Sequence, residues 1–165
     1  MDGEGILGLL RERFGQAIVG THAHRGDHTA VVARDAVLPL LTFCRDDAGL
    51  AFDMLTDLTA VDYSAFPGRE DGPRFEIVYH LYSLAHNHRL RVKAQVSEDE
   101  PVVPTAMGLW PIANWLEREV WDMFGIRFAG HPDLRRLLLY EEFVGHPLRK
   151  DYPINRRQPL IGPKI

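Results

Sequence analysis

The sequence predicts an α+β fold in which an antiparallel or mixed sheet carries helices on one face and is followed by an extended C-terminal arm. Residues 74–96 hold two runs of alternating apolar and polar side chains around a turn, which is typical of a hairpin with one buried face. Residues 112–124 carry apolar side chains at helical spacing. Beyond residue 130 prolines recur at short intervals, and the residue before a proline is disfavoured in a helix.

The N-terminal region is predicted to supply one helix and two strands. Residues 6–14 have apolar side chains at helical spacing, and Gly15 ends that helix. Residues 17–20 and 29–33 indicate short strands on either side of a polar loop rich in histidine and glycine.

The next region is predicted to be a second helix followed by a segment with two open interpretations. Asp35 is suited to cap a helix that runs to about residue 47, with Gly49 ending it. Residues 50–63 begin like a strand, but their second half is compatible with a turn or a short helix. Residues 66–73 are rich in proline and glycine and predict an exposed loop before the hairpin.

A third helix and the arm complete the chain. Thr105 or Pro111 opens the helical structure, and Gly125 ends it. Asp133 is suited to cap one short helix over residues 133–140, and the remainder of residues 131–165 is predicted to be extended. This divides the chain into an α+β body domain (residues 1–104), a helix packed on it (105–130) and the C-terminal arm (131–165). An arm of this kind buries little against itself, so it must lie on its own body or on a partner.

Composition excludes several classes of protein. The 165 residues suit one domain, and the single cysteine, Cys44, excludes an internal disulfide and a self-contained iron–sulfur cluster, which needs about four such ligands. Cys44 lies in an apolar run and is predicted to be a buried hydrophobic residue. No apolar run approaches the roughly 20 residues that span a bilayer, and the acidic N-terminus does not resemble a signal peptide. We therefore expect a soluble intracellular protein whose membrane contact is indirect.

Charge is distributed unevenly along the chain. Residues 1–130 carry 12 Lys and Arg against 19 Asp and Glu, whereas the C-terminal arm carries 7 against 4. A basic tail on an acidic body predicts docking on an acidic partner. The basic residues come as separated pairs with few aromatic residues between them, which is a weak pattern for nucleic acid, so none is expected as a partner.

The densest charged group lies on the third predicted helix and comprises Glu117, Arg118, Glu119 and Asp122. Arg118 and Asp122 are one helical turn apart, so they form either a solvated, self-paired face or, with Trp115 and Trp121 beside them, a recognition surface. Nothing in the pattern indicates the pocket and shifted pKa values that acid–base catalysis needs, and no catalytic residue is predicted.

No metal or cofactor site is predicted in this chain. Two histidine groups occur in polar turns, at residues 22–28 and 86–88, and neither is joined by cysteine or carboxylate ligands at zinc-like spacing. No glycine-rich phosphate loop is present. Arg135 and Arg136 would lie in the first turn of the short helix, where a cation is unfavourable, which predicts pairing with carboxylates on another chain or with Glu141 or Glu142.

The segments at residues 117–138 (EREVWDMFGIRFAGHPDLRRLL) and 145–153 (GHPLRKDYP) closely resemble the signature of the C-type, or 30 kDa, subunit family of NADH–quinone oxidoreductase, respiratory complex I. Residues 50–115 resemble the body of that family more loosely. The matched signature positions are Glu117, Arg118, Glu119, Asp122, Gly125, His131, Pro132, Asp133, Arg135 and Arg136, followed by His146, Pro147, Arg149, Asp151 and Tyr152.

The resemblance implies a peripheral subunit in the hydrophilic arm of a proton-translocating complex, on the cytoplasmic face of the bacterial inner membrane. The implied partners are the D-type subunit, which helps to form the quinone site, and adjacent iron–sulfur subunits. The complex moves electrons from NADH through FMN and iron–sulfur centres to quinone, and these cofactors are implied to lie in partner subunits. The signature positions are implied to be structural or interface residues. The equivalent subunit of a membrane-bound hydrogenase or another complex I-like dehydrogenase is the alternative.

Overall fold

The computed structural model describes residues 1–69, 71–159 and 161. The observed elements are α1 (Gly3–Phe14), β1 (Ile18–His24), β2 (Asp27–Ala33), α2 (Val37–Asp46), β3 (Met54–Asp62), β4 (Phe75–Ser83), β5 (His88–Val96), β6 (Val102–Pro104), α3 (Ala113–Phe124) and β7 (Arg127–Ala129). The α+β class is confirmed, and α1, α2 and the β4–β5 hairpin lie where the pattern predicted them.

The main sheet is mixed, with the strand order β1-β2-β5-β4-β3. Three of its pairings are antiparallel, and β2 with β5 is parallel. The β1–β2 turn is tight because Arg25 and Gly26 both adopt positive φ angles, of 53° and 88°. The ambiguous second half of residues 50–63 belongs to β3, an edge strand of the sheet.

One hydrophobic core joins the helices to the sheet. Alternate residues of β4 and β5, among them Phe75, Ile77, Val92 and Ala94, lie in the same cluster as the buried side chains of all three α-helices. Cys44 belongs to this cluster, as predicted, and burial raises the pKa of its thiol far above the usual range.

The expectation of only one buried face is wrong for β4, which lies between β5 and β3 in the sheet. Glu76 and Val78, on its second face, are also buried. The Glu76 carboxylate accepts hydrogen bonds from Arg69 at 2.7 Å and from Lys93 at 3.0 Å. Burial by itself would raise the pKa of Glu76, but these two cations hold it below the ordinary value.

Two helix starts differ from the prediction. Asp35 lies in a short 3₁₀ helix (Arg34–Ala36), and α2 begins after it without a side-chain cap. Thr105 does not open α3, which begins at Ala113. Strand β6 lies directly before Thr105, and it pairs in parallel with β7. Strands of three residues are too short to show an alternating pattern.

The short helix predicted at residues 133–140 is not formed. Most of the C-terminal arm is extended or in turns, and it returns along α3, where the Leu148 N–H donates to the Met123 carbonyl at 3.1 Å. The last predicted proline position, Pro163, lies outside the described residues. Within the described part of the chain, no helix is long and apolar enough to cross a membrane.

Candidate functional site

The charged side chains of α3 are buried between the body and the C-terminal arm. Glu117, Arg118 and Asp122 are among the buried residues of this helix, so the expectation of a solvated, self-paired face is wrong. Arg118 and Asp122 each bond to the arm and not to one another. The helical pattern shows which face is apolar, but it does not reveal that a distant segment covers the charged face.

Asp122 is the centre of this contact. Its Oδ2 accepts the backbone N–H groups of Leu137, Leu138 and Leu139 at 3.0, 2.9 and 3.0 Å. Its Oδ1 accepts Nη1 of Arg136 at 2.6 Å. Burial would raise the pKa of Asp122, but these four donors outweigh it and hold the pKa below the ordinary value. In a helix over residues 133–140 these three N–H groups would bond to carbonyls four residues earlier, whereas here they bond to Asp122, which accounts for the missing helix.

The two adjacent arginines have different roles. Arg136 pairs with Asp122 and donates to the carbonyls of Phe143 at 2.7 Å and Gly145 at 3.2 Å. The carboxylate that it needs is therefore on its own chain. Arg135 remains 70% exposed, and it pairs only with the half-exposed Asp133 among the described residues. Arg135 is thus the arginine whose charge stays available at the surface.

Arg118 fixes the other side of the same segment. Its Nε and Nη2 donate to the carbonyls of Arg135 and Arg136 at 3.2 and 3.1 Å. Its guanidinium lies over the ring of Trp115, 5.1 Å from the centroid. Residues 135–139 are consequently held from both sides, by an arginine on their carbonyls and by a carboxylate on their N–H groups.

The two His-Pro steps bind opposite ends of α3. Nδ1 of His131 accepts the N–H of Asp133, so its Nε2 carries the proton that is donated to the Asn114 carbonyl at 3.1 Å. At the other end, Nδ1 of His146 lies 3.0 Å from the Asp122 carbonyl. The prolines that follow these histidines favour the extended backbone that this contact requires.

The carbonyls of the last turn of α3 would otherwise lack partners. His146, the Leu148 N–H and Nε of Arg149 bond successively to the carbonyls of Asp122, Met123 and Phe124, the last at 2.6 Å. Gly125 ends the helix at φ 74°, and a Cβ there would lie 2.6 Å from the His146 ring. Glycine is therefore required both by its φ and by the close approach of the arm.

A second buried carboxylate, Asp62 on β3, anchors the arm further along. It accepts Arg74 at 2.8 Å and the Lys150 N–H at 2.9 Å, while Arg74 also donates to Asp151 at 2.7 Å. Burial opposes ionisation of Asp62, but Arg74 and the N–H groups of Ser64 and Lys150 hold its pKa far below the usual range. Asp151 thus contacts the body, and Tyr152 stacks on Phe143 with ring centroids 6.1 Å apart.

The sequence prediction missed Asp62 and Arg74 as anchors. Asp62 lies 88 positions before Lys150 and Arg74 lies 77 before Asp151, and no local pattern reports a contact over that separation. Of the signature residues, Glu119 and Asp133 are exposed, whereas Glu117 bonds within the body to Thr105 and Ala106.

Large hydrophobic side chains are exposed on this part of the chain. Twelve large hydrophobic side chains are exposed among the described residues, and seven of them belong to α3, its preceding residue or the arm: Ile112, Trp115, Leu138, Val144, Leu148, Ile154 and Ile161. We call these seven side chains the apolar patch set. Exposed apolar side chains concentrated in one part of a chain are typical of an interaction surface.

The histidines at the β4–β5 turn lie within hydrogen-bonding distance of backbone carbonyls that are distant in sequence. Nε2 of His86 lies 2.9 Å from the Ala48 carbonyl, and Nε2 of His88 lies 2.7 Å from that of Leu50. In the described part of the chain, no group of three or more histidine, cysteine, aspartate or glutamate residues is placed to hold a metal ion.

A family model described as the 30 kDa subunit of respiratory-chain NADH dehydrogenase matches residues 30–158. A relative from Acidithiobacillus ferrooxidans, named as the C-type subunit of NADH-quinone oxidoreductase, is 47% identical over 152 residues, which cover 92% of this chain and 75% of the relative. A relative of the same name from Geotalea uraniireducens is 44% identical over 155 residues, covering 93% of this chain and 90% of the relative.

Two solved structures share the fold. A trypsin-resistant fragment of Nqo5 matches with a TM-score of 0.71 and 33% identity, covering 81% of this chain and 100% of the fragment. A chain of a membrane-bound sulfane sulfur reductase, an archaeal respiratory membrane complex, matches with a TM-score of 0.73 and 25% identity, covering 93% of this chain and 86% of its own.

Proposed function

We propose, because this chain belongs to the 30 kDa subunit family of respiratory-chain NADH dehydrogenase, that it is a structural subunit of a proton-translocating NADH–quinone oxidoreductase. In this proposal the chain holds no cofactor. FMN and iron–sulfur clusters in partner subunits carry electrons from NADH to quinone, and this chain supports the neighbouring quinone-site subunit. It lies in the hydrophilic arm, on the cytoplasmic face of the bacterial inner membrane, and also contacts adjacent iron–sulfur subunits.

The observation that carries the proposal is the apolar patch set. Trp115 and Leu138 are 54% and 62% exposed, although the segments that bear them are fixed by buried charges. Exposed aromatic and aliphatic side chains on a fixed backbone lose little conformational entropy on binding, and aromatic residues are enriched at the centres of interfaces. The α3–arm unit is therefore preorganised to receive another protein surface.

Charge supports a partner with an acidic surface. The arm carries 7 basic against 4 acidic residues, while the rest of the chain is acidic. Arg136 is neutralised inside the chain by Asp122, so the exposed Arg135 is the better candidate for an ion pair with a partner. We accordingly expect reversal of Arg135 to affect assembly, and reversal of Arg136 to affect mainly the fold.

The second candidate is the equivalent subunit of another complex I-like respiratory complex, including a membrane-bound hydrogenase. The structural similarity to a chain of the sulfane sulfur reductase complex favours it, since this fold occurs outside NADH-oxidising complexes. Relatives of 44–48% identity, all named as the C-type subunit of NADH-quinone oxidoreductase, favour the first candidate. The identity of the co-purifying electron-input subunits separates the two.

The test is affinity purification of the tagged full-length chain from membranes of its own host, with mass spectrometry of the partners and assay of NADH–quinone reductase activity. We expect the wild type to retain quinone-site and iron–sulfur subunits. The double variant W115A/L138A should lose most of both partners and activity, because it removes exposed apolar area while keeping the side chains of Arg118 and Asp122 that bond to the arm. Deletion of the whole arm is less informative, since its residues also satisfy buried groups of the body.

The matched control is L84A, which removes an exposed apolar side chain at the β4–β5 turn, far along the chain from the arm. It should co-purify its partners as the wild type does. Full retention of partners by W115A/L138A would refute the assigned docking surface. Recovery of hydrogenase subunits in place of NADH-oxidising ones would instead establish the second candidate.

A further inference from the structure

Glu117 is a fully buried carboxyl group with no cationic partner among the described residues. Oε2 lies 2.5 Å from the hydroxyl of Thr105, and Oε1 accepts the Ala106 N–H at 2.7 Å. Two neutral donors satisfy only part of the hydrogen-bonding capacity of a carboxylate. An unpaired buried charge is costly, so this position favours a carboxyl group that binds a proton.

A second unsatisfied polar group faces the same region. Tyr79, on β4, is fully buried, and its hydroxyl has no hydrogen-bond partner within the described structure. Burial, with the charge of Glu117 as a further cause, raises the pKa of Tyr79 far above the usual range, so the phenol stays neutral and adds no charge near the carboxyl group. Buried tyrosine hydroxyls normally have a partner, which makes this one exceptional.

We propose that Glu117 and Thr105 form a buried proton-binding site that takes up and releases a single proton. In the ionised state, the Thr105 hydroxyl donates to Oε2 of Glu117. In the protonated state, the Oε2–H donates to the Thr105 oxygen, which also accepts the Met107 N–H at 3.1 Å. The hydroxyl can reverse its direction, so the two states share one set of heavy-atom contacts.

The surroundings of the site support this assignment. Burial raises the pKa of Glu117 to about 7, and the bonds from Thr105 and Ala106 offset only part of this effect. The buried charged side chains elsewhere on α3 and on β3, which packs against it, are already engaged: Arg118 and Asp122 bond to the C-terminal arm, and Asp62 pairs with Arg74. Thr105 is only half-buried, so it offers the route by which a proton reaches Glu117 from solvent.

The direct test is a titration of the full-length chain labelled with ¹³C at its glutamate side-chain carboxyl groups, followed by NMR between about pH 4 and 9. One resonance should titrate near 7. This resonance should disappear in E117Q and remain in E119Q, the control, which changes an exposed glutamate of the same helix. The proposal is overturned if every glutamate titrates near the ordinary value of about 4.3.

Two further variants make the test independent of whether E117Q folds. T105V removes a donor to the ionised state, so it should move the midpoint of the same resonance to higher pH. Y79F removes a hydroxyl that makes no hydrogen bond, so it is the matched control and should leave the midpoint unchanged. An unchanged midpoint in T105V would overturn the proposed role of the hydrogen bond between Thr105 and Glu117.

Stability gives a second readout with a defined sign. The folded-state pKa is raised from 4.5 to about 7, so the stabilisation is fully present below the unfolded pKa and is lost as pH rises through the folded one. Over that window the unfolding equilibrium constant of the wild type should rise roughly 300-fold more than that of E117Q. Parallel pH profiles for the two proteins would contradict the proposal.

Discussion

Replacement of Asp122 by alanine should release the C-terminal arm while leaving the body folded. The change removes one buried carboxylate that serves Arg136 and three successive N–H groups. No other side chain among the described residues bonds to those three N–H groups. The substitution therefore tests whether the arm is held by this residue or by its own backbone preference.

The magnitude follows from the burial of each partner. Removing one member of a buried ion pair costs about 3–5 kcal/mol, because the remaining charge is left without a partner. Arg136 keeps its two carbonyl acceptors, and Leu138 is 62% exposed, so water can reach the freed N–H groups. Both facts place the cost at the lower end, about 3 kcal/mol. Detachment of the arm also limits the loss, since a detached arm cannot be destabilised further.

Hydrogen exchange and limited trypsin digestion measure this opening directly. A cost of about 3 kcal/mol corresponds to roughly 100-fold faster exchange at the amides of residues 137–139, provided that exchange occurs through opening. Cleavage after Arg135 and Arg136 should accelerate in parallel, while amides of β4 and β5 keep their protection. The control is D133A, which removes a half-exposed carboxylate from a surface pair worth at most about 1 kcal/mol. Unchanged exchange in D122A, or an equal effect in D133A, would refute the assigned role.

Two further substitutions test the other contacts of the arm. G125A should cost about 2–3 kcal/mol in urea unfolding, because its φ of 74° is strained for alanine and its Cβ would meet the His146 ring at 2.6 Å. G8A, in open space within α1, is the control and should be neutral or slightly stabilising; a similar loss in both variants would contradict the close approach. D62N should cost about 2 kcal/mol at pH 7. The folded-state pKa of Asp62 is depressed, so its contribution is present above the unfolded value of 3.8 and is lost as pH falls. The difference in stability between wild type and D62N should shrink below that pH, and a constant difference down to about pH 2 would refute the ion pair.

Local pattern was sufficient for much of the body. The alternation at residues 75–96 predicted β4 and β5, and the apolar spacing with Gly15 and Gly125 predicted α1 and the end of α3. These signals are local, because buried and exposed positions alternate with a fixed period within a single element. The parallel pairing of β2 with β5 has no such signal, because Thr29 and Arg91 meet only after the intervening chain has folded.

At residues 133–140 a local pattern was present but predicted a helix that does not form. Leu134, Leu137 and Leu138 have spacing compatible with a helix, and Asp133 is a plausible cap. The competing interaction is a carboxylate on another element, and it satisfies three N–H groups at once. A short isolated helix is marginal by itself, so a single buried acceptor is enough to impose another backbone conformation.

Most of the signature residues make their contacts within the chain, so we expect them to affect partner binding indirectly. Asp122 and Arg118 hold residues 135–139, while His146 and Arg149 cover the carbonyl end of α3. The polar groups of these residues are hydrogen-bonded inside the chain, whereas the apolar patch set and the charge of Arg135 remain exposed. A buried polar frame of this kind costs desolvation and adds little affinity directly. Its effect is to fix the position of exposed side chains before binding, which lowers the entropy lost when a partner docks. Substitutions in the frame should therefore weaken assembly by disordering the surface, whereas substitutions in the patch should weaken assembly with the fold intact.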